Sequence, residues 1–453
     1  MNTRAGDRLQ WKITIGVFAA ALAVAAISAR PEAGGWNDGS RLATVECLVD
    51  YRTWAIDESI FARPPPTGVD AKRPYPADKG VWLARGTLDK LLINERFYSD
   101  KSPVPALFMA GIYQVLQWAT GLVAREHPDW FCYLLTLFSS GLAYVVAVCC
   151  VDRLALTLGT ATRLLLTFSF AFATVALPYV RQVNNHILLL AVCCALLLVL
   201  GPRTRWQLVA GGMLVGAGYT IDLGIGPILV ASVAGLVAYR TRSIKAVVIL
   251  LLAAFPWFAL HHYLNYRIGG TFAPANAQAA YLAWPGSPFD VSNMTGRWAH
   301  QSVGHFVTYA LDLLFGKRGF LGHNLPLFLA VPGAVVLVRR RVAETPEIIW
   351  AGCLFAGGWL VYALTSTNYS GVCCSIRWFV PLLAPAYYVL VLLLREESRY
   401  RTDLLILTLF GFLLGILMWW KGPWMERMVP GFWFIQAAAL LGWLFYRFFV
   451  RKS

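Results

Sequence analysis

Residues 243–263, SIKAVVILLLAAFPWFALHHY, form an almost uninterrupted apolar run. At about 1.5 Å per residue such a run crosses a ~30 Å hydrocarbon layer as a helix. Comparable segments lie near 11–29, 104–124, 131–151, 161–180, 186–200, 206–221, 223–239, 326–338, 348–366, 378–394, 403–420 and 432–450. The whole chain agrees: of 453 residues 58% are hydrophobic and 14% charged, against roughly 45–50% and about 25% in soluble domains. Mean hydropathy is +0.57. The expected fold is an all-α polytopic membrane protein with about 12–13 spans. That excludes a soluble enzyme on a tether, a secreted disulfide scaffold, a collagen-like fibre and a disordered chain. A β-barrel is excluded too, because its strands are short and alternate.

Two polar intervals divide the chain into 1–29 (tail and first span), an outer loop 30–103, a bundle 104–263, a second outer loop 264–325 and a C-terminal bundle 326–453. The net charge of +15 sits at the ends of apolar runs, where it reads as an orientation signal and as affinity for anionic membrane lipids. No nucleic-acid motif is present. Clusters such as Arg203/Arg205, Arg240/Arg242/Lys245 and Arg339–Arg341 belong inside, which puts both large loops outside. One conflict of parity follows: loop 30–103 is outside and Arg153 inside, yet both 104–124 and 131–151 lie between them. Either one of the two lies on the surface or re-enters, or one basic cluster misleads. The first segment, with Arg4, Arg8 and Lys12 before it, also fits a secretory signal cleaved near Ala-Ile-Ser-Ala (26–29), although a multi-pass chain more often keeps it as an anchor. The nine cysteines include three adjacent pairs and no C-x-x-C spacing, so neither a metal site nor a disulfide is required.

The first loop carries helical periodicity. Leu42, Val45, Leu48 and Val49 in Ser40–Trp54, and Leu88, Leu91 and Leu92 in Thr87–Phe97, predict two amphipathic helices lying on the outer membrane face. Between them Ala62–Pro76, with Pro64–Pro65–Pro66 and Pro74, predicts an extended excursion.

Asp38 stands where the first of these helices begins, where the positive helix end favours an anion; by position alone it is an N-cap. Asp100–Lys101 precede Pro103 at the start of the next apolar run. A cation sits poorly at that helix end unless an anion, such as a phosphate at the membrane surface, neutralises it. Arg377, in SIRW (375–378), can hold a phosphate oxygen or serve as an interfacial Arg-Trp anchor. Asp222, in YTIDLG (219–224), is a lone acid in a long apolar stretch, either an outer turn acid or an intramembrane site. His261, His262, His305 and His323 show no ligand spacing.

An apolar helix, then NDGSRLATVECLVDYRTWAID (37–57), then FYSDKSPVP (97–105) before the next apolar segment resembles the GT-C superfamily of membrane glycosyltransferases. The nearest lineages are the protein O-mannosyltransferases, the lipid A aminoarabinose transferases and related bacterial lipopolysaccharide transferases. The resemblance implies an Asp opening the first outer-loop helix, matched by Asp38, and an acid-Lys motif closing the loop, matched by Asp100–Lys101. The family's Arg followed by an acid at the outer end of an early span meets PYVRQVNNH (178–186), where Arg181 is kept but Asn184, Asn185 and His186 replace the acid. Amides and imidazole hydrogen-bond sugar hydroxyls and hold a hard cation weakly. A divalent cation is therefore allowed but not expected to be essential.

The resemblance implies an inverting glycosyltransferase of the plasma (inner) membrane with its site on the outer face. It would take a sugar from a polyprenyl-phosphate donor to a hydroxyl of a glycan, lipid or protein acceptor. Asp38 would be the general base. Lys101, with Arg377 or Arg181, would hold the donor phosphate, and Asp100, Asn184, Asn185, His186 and Asp222 the substrates. Loop 264–325 offers Tyr281, Trp284, Phe289 and Trp298 for stacking. A secondary transporter would instead show two related halves with ionisable groups at mid-membrane. A non-catalytic lipid-binding protein would share the hydropathy without needing Asp38.

Overall fold

The computed structural model describes residues 3–66, 72–76, 83–201 and 204–450. Helix α1 (Thr3–Ser28) leads into α2 (Trp36–Asp50), a β-hairpin of β1 (Lys90–Ile93) and β2 (Arg96–Ser99), and α3 (Pro103–Thr120). Then come the long α4 (Pro128–Thr157), α5 (Thr160–Phe172), α6 (Asn185–Leu197), α7 (Arg205–Ile221), α8 (Gly226–Thr241) and α9 (Ile244–Gly269). After the second polar interval follow α10 (Val303–Phe315), α11 (Ala330–Arg339), α12 (Thr345–Thr365), α13 (Leu383–Glu396), α14 (Arg401–Lys421) and α15 (Phe432–Phe445). Among the described residues seven helices are long and apolar enough to cross a membrane, and five shorter apolar helices accompany them. The chain is a polytopic helical membrane protein.

Local chemistry sets the ends of these helices. Pro103 and Pro128 occupy first turns, where a missing N–H costs nothing. Thr204 and Gln207 close a reciprocal capping box on α7, and Ser243 caps α9. At the other end of the bundle, basic residues named from the sequence meet acids: Arg240 pairs with Glu347, Arg395 with Glu344 and Arg447 with Asp403.

The second predicted amphipathic helix, Thr87–Phe97, is instead the hairpin. Asn94 and Glu95 both take positive φ (49° and 63°), the two-residue turn that matches strand twist. Leu91 and Ile93 then point one way, onto Ala275, Tyr281 and Leu282 of the second interval. Helix α2 does not float on the surface either. It is buried on every side, because Leu42, Ala43, Val45 and Val49 share a small core with Ile56, Phe61, Ala106, Tyr113 and Phe131. Both segments of the parity conflict reach this loop core, 131–151 through Phe131, Cys132 and Leu135 at its start and 104–124 along one face. Helix α3 turns Ala106, Met109, Ala110 and Tyr113 inward and leaves Leu107, Phe108, Val115 and Trp118 exposed as a stripe, while 131–151 lies within the long α4. The stretch 161–180 ends as a helix at Phe172, and 264–325 contains α10, thirteen residues between Ser302 and Gly316.

Helix α4 carries a π-bulge at Leu137–Gly141. There Gly141 lies close to Ala25 of α1, where a Cβ would stand 3.3 Å from the Ala25 methyl, and the Ser140 hydroxyl accepts from the Asn184 N–H at 2.9 Å. The bulge thus fixes the start of α6 beneath α2. At the opposite end, the fully buried Arg163 donates to Asp152 (Nε to Oδ1, 2.7 Å) and through Nη2 to Thr14 (2.7 Å), tying α5, α4 and α1 together. Arg163→Leu strands Asp152 as a buried unpaired acid and should cost about 3–5 kcal/mol, read as the midpoint of thermal unfolding in detergent. Adding Asp152→Leu should recover part of the loss; no recovery would assign the effect to Gln10 and Thr14.

Candidate active site

Asp38 is the third residue of α2 and reaches back to accept the Gly34 N–H at Oδ2 (2.7 Å); Gly35, not Asp38, is the N-cap. The carboxyl is 1% exposed and Oδ1 has no hydrogen-bond partner. Burial raises its pKa from 3.8 to about 7, against the smaller opposing pull of the Gly34 N–H and Arg41. One turn on, the buried Arg41 donates Nη1 to the Asn37 carbonyl (2.7 Å) and side chain (2.6 Å), and Nη2 to Asn185 Oδ1 (2.7 Å). Asn185 opens α6 and itself donates to the Ile221 carbonyl at 3.3 Å. Burial, and then the charge of Arg377, lower Arg41 to about 10, so it stays a cation at neutral pH.

The hairpin brings the second motif alongside. The Ser40 hydroxyl bonds the Asp89 carbonyl (2.5 Å) and meets the Ser99 hydroxyl (2.6 Å). Lys101 bridges Asp89 (2.7 Å) and Asp100 (2.6 Å). Burial pushes both carboxyls up. For Asp89 the charge and hydrogen bond of Lys101, helped by Arg377 and Arg41, outweigh burial and hold it below the usual range; for Asp100 burial wins and it is raised.

A third group lies beyond Asn185. His186 Nδ1 is 3.1 Å from Asp222 Oδ2. Asp222 Oδ1 accepts from the Gly224 N–H (2.8 Å) and from the Tyr362 hydroxyl (2.9 Å). Tyr362 stacks flat on Trp378, ring centres 4.2 Å apart. Next to Trp378, the Arg377 guanidinium lies 5.4 Å from the Trp424 ring, and its Nε has no partner. Trp424 and the Asp38 carboxylate flank Gly35: a Cβ there would stand 3.5 Å from the indole and 3.7 Å from Asp38 Oδ1. The indole N–H of Trp424 is buried and also without a partner.

The structure therefore brings together Asp38, Asp100, Lys101, Asn185, His186, Asp222 and Arg377. Asn184 caps α6, accepting the His186 N–H at 2.9 Å, with its own Nδ2 unpartnered. Arg181 points elsewhere. It donates Nη1 to the carbonyls of Trp419 and Trp420 at the end of α14, and the charges acting on it are Arg30 and Glu32; burial lowers it to about 10. Sequence reading missed Arg41, Asp89, Tyr362 and Trp424. Only Arg41 carried a local signal, sitting in the same quoted motif three residues after Asp38. Among the described residues no three His, Cys, Asp or Glu side chains are grouped to hold a metal ion.

No family model matches the chain, and no curated protein does. Solved structures do. ArnT from Cupriavidus metallidurans bound to undecaprenyl phosphate superposes with a TM-score of 0.52 at 14% identity, covering 100% of this chain and 73% of that one. Its apo form gives 0.51 at 15% over the same spans. The oligosaccharyltransferase of Archaeoglobus fulgidus gives 0.45 at 12%, over 95% and 54%. At these identities it is architecture that is shared, and over its whole length this chain has the GT-C-like membrane fold of ArnT.

Proposed function

We propose that this protein transfers a sugar from a polyprenyl-phosphate carrier to an acceptor hydroxyl at the outer face of the plasma membrane, with inversion at the anomeric carbon. The observation that carries the reading is the Asp38 carboxyl: buried, with one oxygen uncommitted and a pKa of about 7, beside a group in which two acids face three cations. While Asp38 holds its proton, Asp89 and Asp100 leave one charge of Lys101, Arg41 and Arg377 unmatched, and a sugar phosphate supplies the missing anion. The undecaprenyl phosphate in the ArnT complex supports a carrier of this class.

In the reaction, Asp38 Oδ1 takes the proton as the acceptor oxygen attacks the anomeric carbon. The bond to the phosphate oxygen breaks on the opposite face, and the phosphate leaves with the electron pair. A base with a pKa near the working pH combines a useful ionised fraction with real proton affinity. Arg377, Arg41 and Lys101 stabilise the charge that collects on the leaving phosphate. His186, Asp222 and the free amide of Asn184 are placed for sugar hydroxyls, and Asn185 holds Arg41 in register.

Variants, pH and chelation test this. Asp38→Asn removes the base while keeping size, so polyprenyl-phosphate binding should persist and turnover fall by about 10²–10⁴; a variant that folds and turns over normally removes the catalytic role. Arg377→Ala should instead weaken both by roughly 1.5–3 kcal/mol, because the phosphate is present in ground and transition states alike. The pH profile follows Asp38. Its ionised form is the base, so kcat/KM should rise with pH and reach half its plateau near 7. The stability sign is the reverse: the folded chain keeps a proton that the unfolded one releases at about 3.8, so this group's contribution declines as pH rises from about 4 to 7. Activity should also survive chelation by EDTA; loss restored by Mn or Mg would reveal an essential metal.

A further inference from the structure

Arg181 and Arg30 form a second pair of cations, outside the group around Asp38. The Arg30 N–H donates to the Arg181 carbonyl at 3.1 Å, and the Nε of both guanidinium groups is buried without a partner. Below them Arg181 lies 5.8 Å from the Trp419 ring, whose indole N–H donates to Ser28 Oγ at 2.8 Å. Both ends of this arrangement meet lipid, since Ile27 and Trp420 are 71% and 70% exposed. Glu32 contributes an opposite charge to Arg181, which leaves one positive charge for an anion.

Further down the same helix lies an apolar groove of about 340 Å³, lined by Ile13, Gly16, Val17, Ala20 and Phe168 with Phe172. Its α1 residues recur at helical spacing, and the same spacing continues through Val24 and Ile27 to Ser28, so one face of α1 runs from the groove to the arginine pair. Helix α14 follows that course: Phe412 packs on Phe168 and Phe172 (5.4 and 6.3 Å), and Trp419 is two turns above it. From Arg30 to Ile13 is about 25 Å at 1.5 Å per residue, well beyond the roughly 15 Å of one leaflet of a ~30 Å hydrocarbon layer. An ordinary leaflet lipid with its phosphate at the arginines would not fill the groove. A polyisoprenoid chain would.

We infer that Arg30, Arg181 and the α1 groove form a second polyprenyl-phosphate site, which holds a carrier with its phosphate at the arginines and its chain along α1, apart from the pocket at Asp38. It rests on the proposed function for the identity of the carrier only. A site of this kind beside the catalytic pocket suits a spent carrier leaving it or a charged one waiting.

Native mass spectrometry of the full chain titrated with a C55 polyprenyl phosphate tests it, and two bound equivalents are expected. Gly16→Phe puts a ring into the groove from a position where nothing lies within 4 Å of a Cβ, and should weaken one equivalent at least tenfold. Arg30→Gln/Arg181→Gln should weaken the same one, and Arg377→Ala the other. Farnesyl phosphate, too short for the groove, should feel the arginine variant and not Gly16→Phe; inorganic phosphate should not compete at millimolar concentration. If both equivalents survive Gly16→Phe, or both survive the arginine variant, the second site is refuted while the catalytic reading stands. Two other results also refute it: competition by free phosphate, or dioleoylphosphatidylglycerol filling the groove as well as the polyprenyl phosphate. A single equivalent that is lost with the arginine pair and kept in Arg377→Ala would refute both readings, because the arginine pair would then be the only carrier site.

Discussion

One side chain joins the loop 30–103 to the membrane bundle at the point where the chemistry is proposed. Arg41 leaves a helix of the loop and ends on Asn185, the first residue of a helix of the bundle. A buried guanidinium must find acceptors for its donors, and Arg41 finds amides and a carbonyl rather than a carboxylate. Those contacts satisfy its hydrogen bonds but leave its charge unneutralised. The docking of α2, the placement of Asp38 one turn earlier and the demand for an anion therefore share one cause. The π-bulge of α4 supports it from below by fixing Asn184, and through it the start of α6.

The spans were legible because an apolar run of this length has few other uses, and Asp38 and Lys101 because their signal is local: a charge at a helix start. The hairpin was not. Leu88, Leu91 and Leu92 fit helical spacing as well as they fit strands, and only the turn decided. Asn94 prefers positive φ more than most residues, and reading INER (93–96) as a hairpin turn would have found it. Asp89, Tyr362 and Trp424 had no local signal. Their places arise when separate segments meet: Asp89 when the hairpin closes against Lys101, Trp424 when the connection after α14 lies over Gly35. Arg181 shows the reverse case. A motif position suggested the donor phosphate in the group around Asp38, yet the folded chain turns that guanidinium to the end of α14, apart from the group.

Four of the buried polar atoms without partners lie around one place. Asp38 Oδ1, the Trp424 indole N–H, Arg377 Nε and Asn184 Nδ2 belong to the elements that surround Gly35 and the start of α6. Each such group costs about 1–3 kcal/mol in a folded protein, a substantial share of the roughly 5–15 kcal/mol by which domains are stable. A sequence under selection for stability alone would remove them. The sugar phosphate proposed as substrate would offer the donors and acceptors these atoms lack, and on that reading their cost is the cost of a preformed polar site.

Burial acts on the acid and on the cations at once. It raises Asp38 to about 7 although Arg41 stands one turn away, because desolvation of the carboxylate outweighs the attraction of a guanidinium directed at amides. The same low dielectric strengthens what Arg41 and Arg377 offer a phosphate, since a charge out of water is felt more strongly. Exposing the site would weaken both halves together: the carboxyl would fall back toward 3.8 and lose its affinity for a proton, and the arginines would be screened. That is why α2 lies inside a core of its own rather than on the membrane surface, as its amphipathic spacing alone had suggested. The proposed base and the proposed phosphate clamp need the same thing, the removal of water, and one buried helix would provide it for both.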